Sequence, residues 1–226
     1  MTRLLDIDLR PPWLIARLPG PFRIAGWSLN RPGLTNANSV AWLEVCDADL
    51  PLGLDPLDLL NRRLAEQGLD NAAGLMTARD VRRFCRAVSD DETVRVESLV
   101  TLGLTNGSIL DGRGWPSGPV GAFPVGTINL LVVLSVPLGD GALLEALALA
   151  ATARTAALLA EGGRIVGTGT DCILVACPPA PTGESFAGLH TPVGCHLTAA
   201  VFQATFAARR EWEAENAPLL DRIGMT

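Results

Sequence analysis

Apolar and polar positions follow one another along the 226-residue chain in blocks that predict ten elements. Phe22–Trp27 and Ser39–Val45 are short apolar runs separated by R-P-G-L-T-N-A-N, a pattern that predicts two strands joined by a polar turn. Asp55 to Gln67 predicts a helix. Asp55 can cap it, Pro56 takes its first position, Gly68 follows its end, and Leu57, Leu60 and Leu64 share one face. Gly74–Met76 reads as a short strand, and Thr77 is placed to cap a helix over Ala78–Val88. Alternation predicts a strand over Val94–Leu104, followed by a Gly- and Pro-rich loop from Thr105 to Gly126. Thr127–Val136 is a buried strand, Asp140–Glu161 a helix stopped by Gly162 and Gly163, and Asp171–Cys177 a second buried strand. Thr191–Glu213 is the last helix.

The order β-β-α-β-α-β-β-α-β-α predicts an α/β or α+β fold: one domain over residues 1–226, with a mixed sheet covered by helices. One β-α-β unit is expected around residues 127–177. The alanine-rich helix L-L-E-A-L-A-L-A-A-T-A-R-T-A-A-L-L-A has the look of a membrane element, but Glu145 and Arg154 make that costly. Its small residues suit close packing on a sheet.

Composition narrows the chemistry. All 18 cations are arginine, there is no lysine and no tyrosine, and only His190 and His196 are histidine. A phosphate-binding P-loop, a Schiff-base enzyme and Ser-Lys or Glu-Lys-Cys hydrolases are therefore excluded. A zinc site of three histidines fails by count. The net charge of −6 and scattered arginines argue against nucleic acid as a partner. Arg79, Arg82, Arg83 and Arg86 sit at helical spacing and read as a solvated helix face. Five cysteines without a C-x-x-C pair read as buried free thiols of a reducing compartment. The charged N-terminus lacks a signal-peptide core, so a soluble, cytoplasmic protein with no membrane partner is expected.

Polar residues gather at strand ends. They are Thr105 and Asn106; Thr127 and Asn129 in G-T-I-N; Thr168, Thr170 and Asp171 in G-T-G-T-D; and His190 and Thr191 in G-L-H-T. Hydroxyls, amides, a carboxylate and an imidazole beside glycines suit a site where a ligand meets backbone closely. G-T-G-T-D is equally readable as a tight turn whose Asp171 bonds loop amides. As a pair, Asp171 and His190 supply what acyl hydrolysis needs: an imidazole to move protons and a carboxylate to orient it or activate water. His196 is expected to be incidental. Arg154, isolated in an apolar stretch, is expected to pair with a carboxylate or to bind an anionic or carbonyl-rich ligand.

Five ordered segments carry a resemblance: Glu97–Asn106, V-G-T-I-N-L-L-V-V-L-S, A-T-A-R-T-A-A-L, G-T-G-T-D-C-I-L-V-A and F-A-G-L-H-T-P-V-G. Together they resemble the adenosylcobinamide amidohydrolase family over residues 94–206. L-N-R-P-G-L-T-N-A-N-S-V matches more loosely upstream. The resemblance implies hydrolysis of the amide between the corrin propionate and aminopropanol, giving adenosylcobyric acid for coenzyme B12 salvage. It implies a corrinoid substrate, no cofactor and no metal, and leaves a homodimer possible. Carried over by motif, Asn106, Thr127, Asn129, Arg154, Thr168, Thr170 and Thr191 would bind substrate, and Asp171 and His190 would catalyse. Arg154 stands where lysine is expected, Thr152 where glutamate is, and Leu189 where a small polar residue is.

Three nucleophiles fit that reaction. Water can be activated by Asp171 and His190, with amides of Gly167–Thr170 or Asn106 holding the oxyanion. Thr127 can become a new N-terminus by self-cleavage after Gly126, its amine serving as base. Cys195, near His190 in sequence, is the third. A non-catalytic corrinoid-binding or corrinoid-sensing protein is the alternative, favoured by the missing carboxylate at Thr152.

Overall fold

The computed structural model describes residues 3–110, 116–119 and 126–222. Its N-terminal strands are Asp6–Arg10 (β1), Trp13–Trp27 (β2), Pro32–Glu44 (β3) and Ala72–Thr77 (β4), with helix Pro56–Glu66 (α1) between the last two. Phe84–Asp90 (β5), Arg95–Leu102 (β6), Gly107–Leu110 (β7), Pro116–Pro119 (β8) and Ile128–Leu134 (β9) follow. Then come helix Asp140–Leu159 (α2), strands Ile165–Thr168 (β10) and Cys172–Cys177 (β11), and helices Pro192–Glu215 (α3) and Ala217–Arg222 (α4).

The main sheet runs β4-β3-β2-β11-β9-β6-β5, with β1 on the free half of β2. The long strand β2 makes this possible. Its ladder with β3 slips between Arg17 and Phe22, where Pro19 and Pro21 have no amide hydrogen to give. Before the slip its second edge takes β1; after it, the same edge takes β11. β11 pairs parallel with β9, closing the expected β-α-β crossover through α2. A second crossover, β3-α1-β4, is also parallel. The mixed α/β class is as expected, with two such units where the pattern predicts one.

Three buried clusters show how the layers stack. Val96, Val100, Ile128, Leu130, Val132, Ile173 and Val175 face α2 and α3. The opposite side chains, Leu99, Leu131, Val133, Leu174 and Ala176, meet Leu14, Ile24, Val40, Trp42 and Leu75. The sheet therefore curls until β4 lies across β9, and Asn129 Nδ2 donates to the Met76 carbonyl at 2.7 Å. A third cluster packs Ile15, Ala41 and Leu43 under Leu60 and Leu64 of α1. Every residue of β9 is buried, because the strand is covered on both faces. Its sequence is accordingly a continuous apolar run rather than an alternation.

α2 and α3 pack on one another through small residues. Ala142, Ala146, Ala150, Ala153 and Ala157 recur along one side of α2, and Ala200, Ala204 and Ala208 along α3. By length and composition α2 could cross a membrane, its most apolar window averaging a hydropathy of 1.5. In the fold it packs against α3 and β11. α1 starts as its sequence predicts, with Asp55 accepting from Leu57 N at 2.8 Å and Pro56 opening the helix.

The helix expected over Ala78–Val88 is instead a turn followed by β5. Thr77 Oγ1 does accept from Arg79 N, but Asp80 Oδ1 at once accepts from Arg82 N and closes the turn. β6 then supplies a ladder to all seven residues from Phe84 to Asp90. The four arginines do not share one helix face, although Arg82 and Arg83 are exposed. Arg79 and Arg83 reach Glu215 and Glu211 on α3, Arg86 reaches buried Glu97, and Arg82 holds Asp80. Part of the expected loop Thr105–Gly126 lies outside the described residues; its described parts include strands β7 and β8, which build a second sheet with β10. Of the five thiols only Cys177 is fully buried, and Cys46 and Cys195 are exposed.

Candidate functional site

Asp171 precedes β11 beside the start of β9, and its carboxylate ties together three segments. Oδ1 accepts from Ile128 N at 3.1 Å and from Thr168 Oγ1 at 2.5 Å, and Thr168 N reaches both oxygens at 3.2 Å. Oδ2 pairs with Arg154 Nη1 at 2.9 Å, and the same nitrogen donates to the Val166 carbonyl at 2.7 Å. The two side chains are only 8% and 12% exposed, so this is a largely desolvated ion pair. Gly167 makes room for it, since a Cβ there would lie 2.8 Å from Asp171 Oδ2 and against the guanidinium. Both carboxylate oxygens are occupied, and the carboxylate works as a fastener of β9, β10 and α2.

Removing its charge breaks that fastener. Asp171→Asn should destabilise the fold by about 2–3 kcal/mol, because an Arg154 guanidinium is left without its counter-charge in a poorly solvated place. Thermal unfolding should show this as a fall of roughly 4–12 °C for a chain of this size. A midpoint within one degree of wild type would mean the pair is not a structural contact.

Thr127 stands at the mouth of β9, 6% exposed. Its Oγ1 donates to the Thr170 carbonyl at 2.8 Å, while Thr170 Oγ1 donates to the Gly126 carbonyl at 3.3 Å. Gly126 fits because it has no side chain: a Cβ would lie 2.7 Å from Thr105 Oγ1, 2.8 Å from Asn106 Oδ1 and 2.9 Å from Gly103 O. Asn129 follows on the same face of β9, opposite Thr101 on β6 and Cys172 on β11. Asn129 Oδ1, Thr101 Oγ1 and Asn106 Oδ1 are buried atoms without a hydrogen-bond partner among the described residues. A buried polar atom left unpaired costs about 1–3 kcal/mol, a price a fold carries where a ligand will later supply the partner.

A cavity of about 220 Å³ opens beside Thr127 and Thr170. Thr127, Thr170 and Cys172 line one side, and Leu29, Leu75, Met76 and Thr77 face them. The indole of Trp27, 42% exposed, is anchored beside it by Nε1 donating to the Asp171 carbonyl at 2.6 Å. A larger cavity, about 410 Å³, lies elsewhere, between Leu104, Gly163, Arg209 and Trp212. There Arg209 is spent on the end of α2, donating to the carbonyls of Leu158 and Ala160. The smaller cavity is the one that Thr127 and Thr170 line. Burial, with the Asp171 charge adding to it, pushes the Cys172 thiol up to about 11, so this sulfur is not a ready thiolate.

The structure brings together Asn106, Thr127, Asn129, Arg154, Thr168, Thr170 and Asp171, seven of the nine residues expected at the site. It does not bring His190 or Thr191 to them. Thr191 caps α3, its Oγ1 accepting from Gly194 N at 3.0 Å and donating to the Gly188 carbonyl. Exposed His190 lies beside it, next to the start of α2, where Ala187 N donates to Glu145 Oε2. That is toward the far end of β9, a strand of seven residues that spans roughly 20 Å, from the end that Asp171 adjoins. The expected Asp171–His190 couple is not formed within the chain. Cys195, on the first turn of α3, lies at the same far end. His196 bonds Ser89 and Asp91 there. Among the described residues, no group of three or more His, Cys, Asp or Glu could hold a metal ion.

Trp27, Thr101 and Cys172 are the site residues that sequence reasoning misses. Cys172 follows Asp171 directly and could have been noted. Trp27 and Thr101 arrive only through the curl of the sheet. Thr152 is exposed on α2 and bonds its own helix at Ala148 O, two positions from Arg154 and so on another side of the helix. A missing carboxylate there leaves the Asp171 cluster untouched.

A family model described as adenosylcobinamide amidohydrolase matches residues 2–217. A Halobacterium salinarum protein of that name is 37% identical over 117 residues, which is 50% of this chain and 49% of its own. One from Methanosarcina mazei is 28% identical over 158 residues, 66% of this chain and 72% of its own. The chain thus spans about half the length of the first relative. Among solved structures, a Pyrococcus horikoshii protein is similar with a TM-score of 0.47 and 12% identity, over 87% of this chain and 76% of its own. The L-aminopeptidase D-Ala-esterase/amidase of Ochrobactrum anthropi gives 0.44 and 12%, over 91% and 82%.

Proposed function

Since this chain belongs to the adenosylcobinamide amidohydrolase family, we propose that it hydrolyses the amide linking the corrin propionate to aminopropanol. The products are adenosylcobyric acid and free aminopropanol, the first of which re-enters coenzyme B12 synthesis. One observation supports this reading above others: Thr127 lines a cavity with Thr170 and Cys172, and the next residue on its face of β9, Asn129, keeps a buried oxygen without a hydrogen-bond partner among the described residues. A volume of about 220 Å³ falls below the roughly 300–1,000 Å³ of sites that enclose whole drug-sized ligands. It suits the aminopropanol arm, with the macrocycle outside against Trp27.

In this reading Thr127 Oγ attacks the amide carbon, Thr170 Oγ1 donates to the developing oxyanion, and the amine leaves with a proton. Asp171 and Arg154 hold the elements that place Thr127. Incubation with adenosylcobinamide, followed by detection of aminopropanol, tests the activity directly. Tight binding without release would instead mark a corrinoid-binding protein. Trp27→Ala should raise KM about tenfold, or ~1.4 kcal/mol, with kcat changed less than about threefold, because only ring contact is lost. An unchanged KM would take the indole out of the binding surface.

A further inference from the structure

The proposed attack leaves one chemical need unmet. A threonine hydroxyl is a weak nucleophile until a base takes its proton. Among the described residues no such base adjoins Thr127. Its hydroxyl faces a peptide carbonyl, Asp171 is locked by Arg154 and Thr168, and both histidines lie at the far end of β9. The chain has no lysine to supply an amine.

The peptide bond before Thr127 is arranged in an unusual way. Its carbonyl, that of Gly126, accepts from Thr170 Oγ1, a donor placed where negative charge would grow under attack. The space a side chain on that residue would take is filled by Thr105, Asn106 and the Gly103 carbonyl, so only glycine fits before Thr127. On the other side, Gly103 N donates to the Thr127 carbonyl at 3.0 Å, and Asp171 Oδ1 accepts from the next amide, that of Ile128. The residue carrying the hydroxyl is fixed, and the carbonyl one bond before it is polarised. Asn129 Oδ1, on the same face of β9 and wholly buried, has no donor.

We propose that the chain cuts its own Gly126–Thr127 bond, and that the α-amine freed on Thr127 is the base for amide hydrolysis. Thr127 Oγ adds to the Gly126 carbonyl carbon, and its proton passes through water to the Thr127 nitrogen as the C–N bond breaks. The product is a Gly126–Thr127 ester bearing a free amine. One water then hydrolyses the ester, leaving a Gly126 carboxylate and restoring the hydroxyl. Net consumption is one water. A neutral α-amine, with an ordinary pKa of about 7.7–8.0, then stands on the same residue as the nucleophile. The orphaned Asn129 Oδ1 is an acceptor for its hydrogens. The second half of this inference rests on the hydrolase reading; the cut itself does not.

The test follows the full chain without substrate, by denaturing electrophoresis and intact mass. Wild type should convert from one chain of 23.8 kDa into fragments of 126 and 100 residues. The second should begin Thr-Ile-Asn-Leu-Leu. Because lysine is absent, an amine-reactive tag on that fragment marks Thr127 alone. Thr127→Val, which keeps the shape and removes the hydroxyl, should stay whole. Thr127→Ser should cut within about tenfold of the wild-type rate, which keeps the test decisive if the valine variant folds poorly. An uncut wild-type chain, or a valine variant cut at the same bond, overturns the proposal. Aminopropanol release is measured separately: release by an uncut chain removes self-cleavage alone, and a cut chain that releases nothing removes the hydrolase reading alone.

Discussion

Replacing Thr127 by alanine is expected to lower aminopropanol release from adenosylcobinamide by at least about 10³-fold, the scale on which loss of a nucleophile acts. Stability should change little. The hydroxyl makes one neutral hydrogen bond, to the Thr170 carbonyl, and losing such a bond costs about 1 kcal/mol. Circular dichroism and a melting curve would confirm that the variant is folded. Turnover within tenfold of wild type would place the nucleophile elsewhere. His190→Ala gives the contrast. This residue is exposed at the other end of β9, and its removal should leave turnover within about twofold. The opposite pattern, with Thr127 dispensable and His190 essential, would require the two ends of the strand to meet in an assembly.

Glu97→Ala should be the most damaging single change to the fold, at about 3–5 kcal/mol. Glu97 is wholly buried on β6. Oε1 accepts from Leu4 N at 2.9 Å and pairs with Arg95 Nε at 2.9 Å, while Oε2 pairs with Arg86 Nη2 at 2.6 Å. One carboxylate therefore pins the N-terminal segment to the sheet and neutralises two guanidiniums. Burial is the largest influence on its proton and pushes the pKa up. The Leu4 amide, Arg95 and Arg86 together outweigh it, and the carboxyl ends below its ordinary value. The sign follows. A depressed carboxylate contributes stability above the unfolded pKa of about 4.3 and loses it as pH falls through the folded value. Glu97→Gln should thus lower stability at pH 7 and flatten the acid limb of the stability curve below pH 4–5. An acid limb as steep as that of wild type would show that other carboxylates carry it.

The parts of the molecule that the sequence predicts well are those where local pattern and tertiary setting agree. β9, α2, β11, α3 and α1 each lie within two or three residues of their expected bounds, because runs covered on both faces and capped helices leave strong local marks. β5 is the reverse case. Arg79, Arg82, Arg83 and Arg86 repeat at helical spacing, yet Arg79 and Arg83 pair with acids on α3, Arg86 with one on β6 and Arg82 with Asp80 in its own turn, and the ladder offered by β6 decides the backbone. The site divides likewise. Asp171 and its threonines form a local turn that G-T-G-T-D announces. Whether His190 reaches them depends on which end of β9 each adjoins, and neither composition nor spacing encodes that. Arg154 is the instructive middle case: a carboxylate partner is predictable for a cation in an apolar helix, but its identity is set by where β10 and β11 turn.

In the main sheet, β9 and β11 lie between β2 and β6, so residues 127–222 are hydrogen-bonded to earlier chain on both sides. α3 adds a third joint by packing on β5 and β6. A cut at Gly126–Thr127 would leave this arrangement intact under native conditions, and the two polypeptides would migrate as one particle. What changes is the route back from the unfolded state. An uncut chain refolds at a rate independent of concentration, whereas a cut one must first find its other half, with β9 and β11 carrying two unpaired edges meanwhile. Processing would thus turn a one-chain refolding step into a two-chain one, and the midpoint of reversible melting would then rise with protein concentration.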